Sequence, residues 1–251
     1  MAALWTALAA IVVCLAIGWL SGRVGLGRDG RAPSSPVEPP VLSAFPGLMG
    51  AAAVGVAIWG GGVSHPALAI GGVGLVAVGD DVAVGRRVSW DRVIAIGLVM
   101  GACLVPLARY GAASYSDLRG ASLVLGPPAT TGPWGRLGAC LFAALVAVAS
   151  GAYLGGAERR ASLATVAASP RLLTPGAVAL VVSAPFAGSA LAPGAPLSDV
   201  ARRVGVWAGA VAVAVGGQWW LSARMRRLRW RGGAAVAAAV LLALAVARAT
   251  R

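Results

Sequence analysis

The stretch Trp219–Arg231, read as WWLSARMRRLRWR, decides the fold. Arg224, Arg226, Arg227, Arg229 and Arg231 lie here between two long apolar runs. Hydrocarbon cannot solvate so dense a set of guanidinium groups. The stretch therefore belongs at a membrane face, and short arginine-rich loops stay on the cytoplasmic side. Fixing this loop inside orients every other apolar run. The expected fold is all-α, a polytopic transmembrane helical bundle of about eight spans, with residues 1–251 forming a single integral membrane domain.

Composition points the same way. Of 251 residues, 59% are hydrophobic and only 12% are charged, and the mean hydropathy is +0.83. A water-soluble domain of this length needs more polar surface, so the bulk of the chain belongs in a bilayer. The formal charge of +13 would by itself suit a nucleic-acid partner, but every one of the 21 basic residues is Arg. These arginines stand at the ends of apolar runs, where they anchor spans. The expected partner is the lipid bilayer of the inner (cytoplasmic) membrane, and no nucleic acid. Cys14, Cys103 and Cys140 each lie inside an apolar run without a second Cys or His at ligand spacing. They read as small hydrophobes. The first apolar run has no basic segment before it and reads as a retained span, not a signal peptide.

A spanning helix needs about 20 apolar residues. Eight runs qualify: Ala3–Leu20, Val41–Trp59, Val63–Gly79, Val93–Ala108, Leu137–Gly156, Leu172–Leu191, Val204–Leu221 and Gly232–Ala247. Runs two and three read as a tight hairpin. The polar loop Arg109–Arg136 contains Gly126-Pro127-Pro128, which breaks any helix there. With both termini outside, the odd-numbered loops are cytoplasmic and carry fourteen of the 21 arginines. Glycine and alanine recur throughout the spans, and such small residues let membrane helices approach closely.

Chemistry is sparse. The eight acidic residues, Asp29, Glu38, Asp80, Asp81, Asp91, Asp117, Glu158 and Asp199, fall in loops or at span ends. An ion-coupled carrier needs carboxylates within the membrane, so this distribution argues against one. Gln218 lies well inside a span and reads as an interhelical hydrogen-bond partner. Gly79-Asp80-Asp81 bears comparison with the Gly-x-Gly-Asp motif of intramembrane aspartic peptidases such as the prepilin peptidases. Ala77 replaces its first glycine, however, and the next separate acid, Asp117, follows the motif where that family's precedes it. A helix-end cap is the ordinary reading of these acids. His65 reads as a solvated turn residue, since one histidine builds no metal or haem site. Trp219 and Trp220 fit an interfacial aromatic belt.

Three loops together resemble one family, the quinone-chamber membrane subunit of bacterial NADH–quinone oxidoreductase and its relatives in membrane-bound hydrogenases. Gly22-Arg23-Val24-Gly25-Leu26-Gly27-Arg28 resembles the Gly-Arg-rich loop after that family's first span. Leu123–Leu163, ending in Ala157-Glu158-Arg159-Arg160-Ala161-Ser162-Leu163, is similar to its run from an outer loop through a span into a cytoplasmic Ala-Glu-x-x-Arg sequence. Trp220–Arg231 looks like the Arg-rich loop before its last span. The family's Asn-Arg-x-Pro-Phe-Asp-Leu-Pro and its following carboxylates are absent, and the last loop has Met225 and Trp230-Arg231 in place of Pro and Tyr-Asp.

The resemblance implies a non-catalytic membrane subunit of a quinone-linked redox complex that anchors a peripheral arm. Its partners would be other membrane and peripheral subunits. It would bind no cofactor directly, with a quinone as the neighbouring ligand. Arg23, Arg28, Glu158, Arg159 and Arg160 would border the quinone-facing surface, and Arg226, Arg227 and Arg229 would join the docking face. The alternative expectations are a small transporter or permease component, in which Pro106 and Pro185 mark broken helices, and a plain membrane anchor.

Overall fold

The computed structural model describes residues 2–24, 44–60, 65–83, 88–110, 112, 113, 115, 118, 133–154, 170–187, 197–225, 234, 237, 238, 240 and 241. Among them the chain is all-helical, with seven helices: α1 Ala2–Val24, α2 Ala44–Trp59, α3 Pro66–Ala83, α4 Trp90–Tyr110, α5 Pro133–Leu154, α6 Pro170–Ala187 and α7 Leu197–Met225. Proline opens α3, α5 and α6, the position where its missing N–H costs nothing and its fixed φ already suits a helix. His65, exposed in the turn, caps α3: its Nδ1 accepts from the Ala67 amide at 3.2 Å. Ser89 caps α4 through its carbonyl, which accepts from the Arg92 amide at 3.0 Å. Asp91 then sits in the first turn of α4, where the helix dipole favours a carboxylate.

Four helices, α1, α4, α5 and α7, are long and apolar enough to cross a membrane, and α2, α3 and α6 are shorter and equally apolar. Large apolar side chains stand on the outside: Trp5 is 68% exposed, Val12 62% and Val213 77%. In water such surface would be an aggregation liability; against lipid it is the expected lining. Several apolar helices thus point to a membrane protein.

The bundle is organised around α6, which touches each of the other six helices. From Leu173 to Pro185 its side chains are buried apart from Val182, and a helix apolar on every side is a core helix. The tightest seam joins α2 to α3. A Cβ on Gly50 would stand 2.5 Å from the Gly72 carbonyl oxygen, and one on Gly72 would stand 2.6 Å from the Gly50 carbonyl oxygen. Val76 packs on Gly50 while Val54 packs on Gly72, so α2 and α3 run antiparallel, as the hairpin expectation requires. Glycine is needed here because the two backbones meet with no room for a side chain.

Several expected boundaries shift. The quoted stretch is helical as far as Met225, so Arg224 continues α7 and is not in a loop. At its other end α7 begins at Leu197, which brings Asp199, Arg202 and Arg203 into the helix. Helix α3 runs on to Ala83 and takes in Asp80 and Asp81. The segment after Arg109 is not simply a polar outer loop: Tyr115 and Leu118 are buried in the main core. The Ala112 amide donates to the Leu107 carbonyl at 3.0 Å and turns the chain back under α4. Residues 234, 237, 238, 240 and 241 are helical, and Ala234 and Leu241 join the core.

Candidate functional site

Two places concentrate polar or reactive groups. The first is one end of the bundle. Trp219 Nε1 on α7 donates to Ser21 Oγ on α1 at 2.8 Å, and Ser21 Oγ in turn donates to the Ile17 carbonyl at 2.7 Å. One residue earlier, the buried Gln218 donates through Nε2 to the Pro175 carbonyl of α6 at 3.1 Å, as its reading as an interhelical partner anticipates. Its Oε1 lies 2.7 Å from where a Gly151 side chain would begin on α5. The closing turns of α1, α5 and α7 and the opening turn of α6 therefore share one end. At the other end, Trp59 of α2 meets Trp207 of α7 edge-on, with ring centroids 5.9 Å apart. Twelve residues of α7 separate this contact from Trp219, about 18 Å of helix.

The residues expected to form a site relate to this end as follows. Arg23 lies in the last turn of α1. Arg28, Glu158, Arg159, Arg160, Arg226, Arg227 and Arg229 lie outside the described residues. In sequence, the first follows α1, the next three follow α5 and the last three follow α7. Nearby, Arg92 Nη2 at the start of α4 donates to the Ala77 carbonyl of α3 at 2.6 Å, a cation against the negative half of a helix. Trp219 is half-buried by its bond to Ser21, while Trp220 is exposed as an interfacial belt residue would be.

The second place is a cavity between α4, α5 and α6. Each helix presents one i, i+3, i+4, i+7 face to it: Val99, Ala102, Cys103 and Pro106; Cys140, Ala143, Ala144 and Ala147; Val178, Val181, Val182 and Pro185. Its volume is about 10 Å³, near the least that holds a single small guest. Pro106 cannot donate to the preceding turn of α4, and neighbouring groups commonly occupy the carbonyls loosened in this way. The carbonyl that loses its donor to Pro106 is Ala102's; one position further on, the Tyr115 hydroxyl donates to the Cys103 carbonyl at 2.7 Å. Burial pushes the Tyr115 phenol well above the usual value of 10, so it stays a donor.

Sequence reasoning missed this second place. Cys103 and Cys140 are 37 positions apart in the chain, and only the antiparallel packing of α4 on α5 brings them to one wall. The available signal was the spacing Cys140, Ala143, Ala144, Ala147, a small-residue face on a helix.

Comparison of the chain with protein-family models, curated proteins and solved structures finds no match. Among the described residues no group of three or more His, Cys, Asp or Glu is placed to hold a metal ion.

Proposed function

We propose that the protein is a non-catalytic inner-membrane subunit of about eight spans that docks a partner at its arginine-rich end. One observation supports this reading best: α1, α5 and α7, the helices that lead into Arg23 and Arg28, Glu158–Arg160 and Arg226–Arg229, finish at the same end of the bundle. Three clusters far apart in sequence thus start from neighbouring points. Arginine-rich sequence leading on from adjoining helix ends suits an acidic protein surface, since Arg forms bidentate pairs with carboxylates. The resemblance to the quinone-chamber membrane subunit of NADH–quinone oxidoreductase narrows the partner to the peripheral and membrane subunits of a quinone-linked redox complex, with both termini outside and a quinone bordering Glu158.

The test is gentle detergent extraction of a tagged copy from its own cells, followed by mass spectrometry of what co-purifies. Recovery with iron–sulfur or quinone-reactive subunits supports the reading. Substitution of Arg226, Arg227 and Arg229 by Gln should then lower the yield of complex while insertion stays normal. Recovery as a lone, stable chain overturns it.

A second reading, a small transporter component, is favoured by Pro106 and Pro185 lining one cavity between α4, α5 and α6, since prolines also interrupt the broken helices of carriers. Substrate-dependent thermal stabilisation in a ligand screen would support it.

A further inference from the structure

The closing end of α4 is held by chain outside the helix, and the cavity lies behind that hold. The Ala112 amide donates to the Leu107 carbonyl at 3.0 Å, and the Leu118 amide donates to the Tyr115 carbonyl at 3.2 Å. Between these two turns the Tyr115 hydroxyl reaches back to the Cys103 carbonyl at 2.7 Å. Tyr115 is 4% exposed and Leu118 1%, so both side chains are set in the main core. Neither residue belongs to one of the seven helices. Stretches fastened in this way open at lower free energy than packed helices do.

What the stretch fastens is loosely held by its own helices. Cys103, whose carbonyl Tyr115 grips, lines the cavity with its side chain, and so does Pro106 three positions on. Pro106 removes one backbone bond near the end of α4. Across the cavity Pro185 does the same near the end of α6. Atoms that line a void have no partners on that side, and so lose less on moving. Two proline-bearing helix ends therefore meet an unfilled space, and Tyr115 and Leu118 cover one of them. The seam of α2 and α3 has no such slack, since Gly50 and Gly72 meet there backbone to backbone.

We propose that Tyr115 and Leu118 form a latch. Seated, they close the bundle over the cavity between α4, α5 and α6; withdrawn, they open it from the side on which α4 ends. The latch grips the main chain of Cys103, so its release uncovers the turn that carries the Cys103 thiol. That thiol is free and reports the open state. Cys14, also free, is packed against Gly176 on the α1–α6 seam and stays covered.

The test is the rate at which N-ethylmaleimide alkylates each cysteine of the purified full chain in detergent, followed by mass spectrometry. Tyr115→Phe should speed the reaction at Cys103 about fivefold, the equivalent of a bond of about 1 kcal/mol. Leu118→Ala should speed it about thirtyfold or more, since a buried leucine is lost. Cys14 should keep its rate in both variants. An unchanged rate at Cys103, or an equal rise at Cys14, overturns the proposal. Amide hydrogen exchange gives a second readout on the unaltered chain. Ala112 and Leu118 should exchange at one shared rate, faster than Leu173 and Val181 of α6. Protection as strong as that of α6 would mean that the stretch leaves only when the whole bundle unfolds, and would overturn the latch.

Discussion

Helices α6 and α7 divide the work of the molecule in opposite ways. Helix α6 is short, carries two prolines, Pro175 and Pro185, beyond the one that opens it, and has no charge beyond Arg171, yet it touches every other helix. Helix α7 is 29 residues long, carries Asp199, Arg202, Arg203 and Arg224, and has only Ala214, Val215 and Gln218 buried among its described side chains. The same residue type behaves differently on each. A Cβ on Gly176 of α6 would stand 2.7 Å from the Cys14 Cα, whereas Gly205, Gly209 and Gly216 of α7 have nothing within 4 Å. A glycine in this chain is thus a packing device only where a neighbouring backbone meets it. Where it meets only a side chain, as Gly217 meets Val148, the neighbour can give, and where it meets nothing it is merely a small surface residue.

That contrast can be broken by substitution. Gly176→Val should cost about 3 kcal/mol or more, because the backbone of α1 has no flexible end to move aside. Gly205→Val should stay within about 0.5 kcal/mol. Thermal melts of both variants in one detergent decide it, and equal losses would erase the distinction between hub and rim.

Tyr115→Phe should cost about 1 kcal/mol by leaving the Cys103 carbonyl without its hydroxyl donor. It also carries a pH signature. The folded phenol titrates well above 10 while the unfolded one titrates near 10. Its contribution is therefore complete below pH 10 and declines as pH rises beyond that, because only the unfolded chain gains from ionising. Melting temperature measured from pH 9 to pH 11 should fall more steeply for the unaltered chain than for Tyr115→Phe. Parallel slopes would place the phenol elsewhere.

The bonds that hold α7 to its neighbours are expected to be weaker. Gln218→Leu removes the donor to Pro175 but also a buried Oε1 that lacks a partner among the described residues, so the net loss should be about 0.6 kcal/mol, the usual size of an interhelical bond in membranes. Trp219→Phe should lose about 0.5 kcal/mol with the Ser21 contact. Its clearer readout is a change in tryptophan fluorescence, since the indole is half-buried. A loss near that of Gly176→Val in either variant would show that α7 is as central as α6.

Much of the architecture was legible along the chain. Runs of apolar residues give α1 to α6 within about four residues at each end, and α7 in its middle though not at its start, since lipid demands a closed helix wherever the chain is apolar. The interhelical role of Gln218 was legible for the same reason: a lone amide inside a span must find a partner. Boundaries were less so. Asp199 and Arg203 read as loop residues but form an i, i+4 ion pair at 2.9 Å within α7, because a helix can outrun the hydrocarbon and carry charge on its protruding turns. Tyr115 read as part of a polar loop because nothing local shows that it folds back to a carbonyl beside a proline.

By itself the sequence determined what is local: which stretches must be helical, where arginine forbids hydrocarbon, where proline opens a helix. Tertiary structure alone decided which glycines meet a backbone, that α6 stands at the centre, that α1, α5 and α7 finish side by side, and that Cys103 shares a cavity with Cys140. The physical reason is that span formation depends on each segment's own transfer into lipid. The choice of neighbours depends on contacts between segments that are almost equally apolar, and those contacts have no signature along the chain.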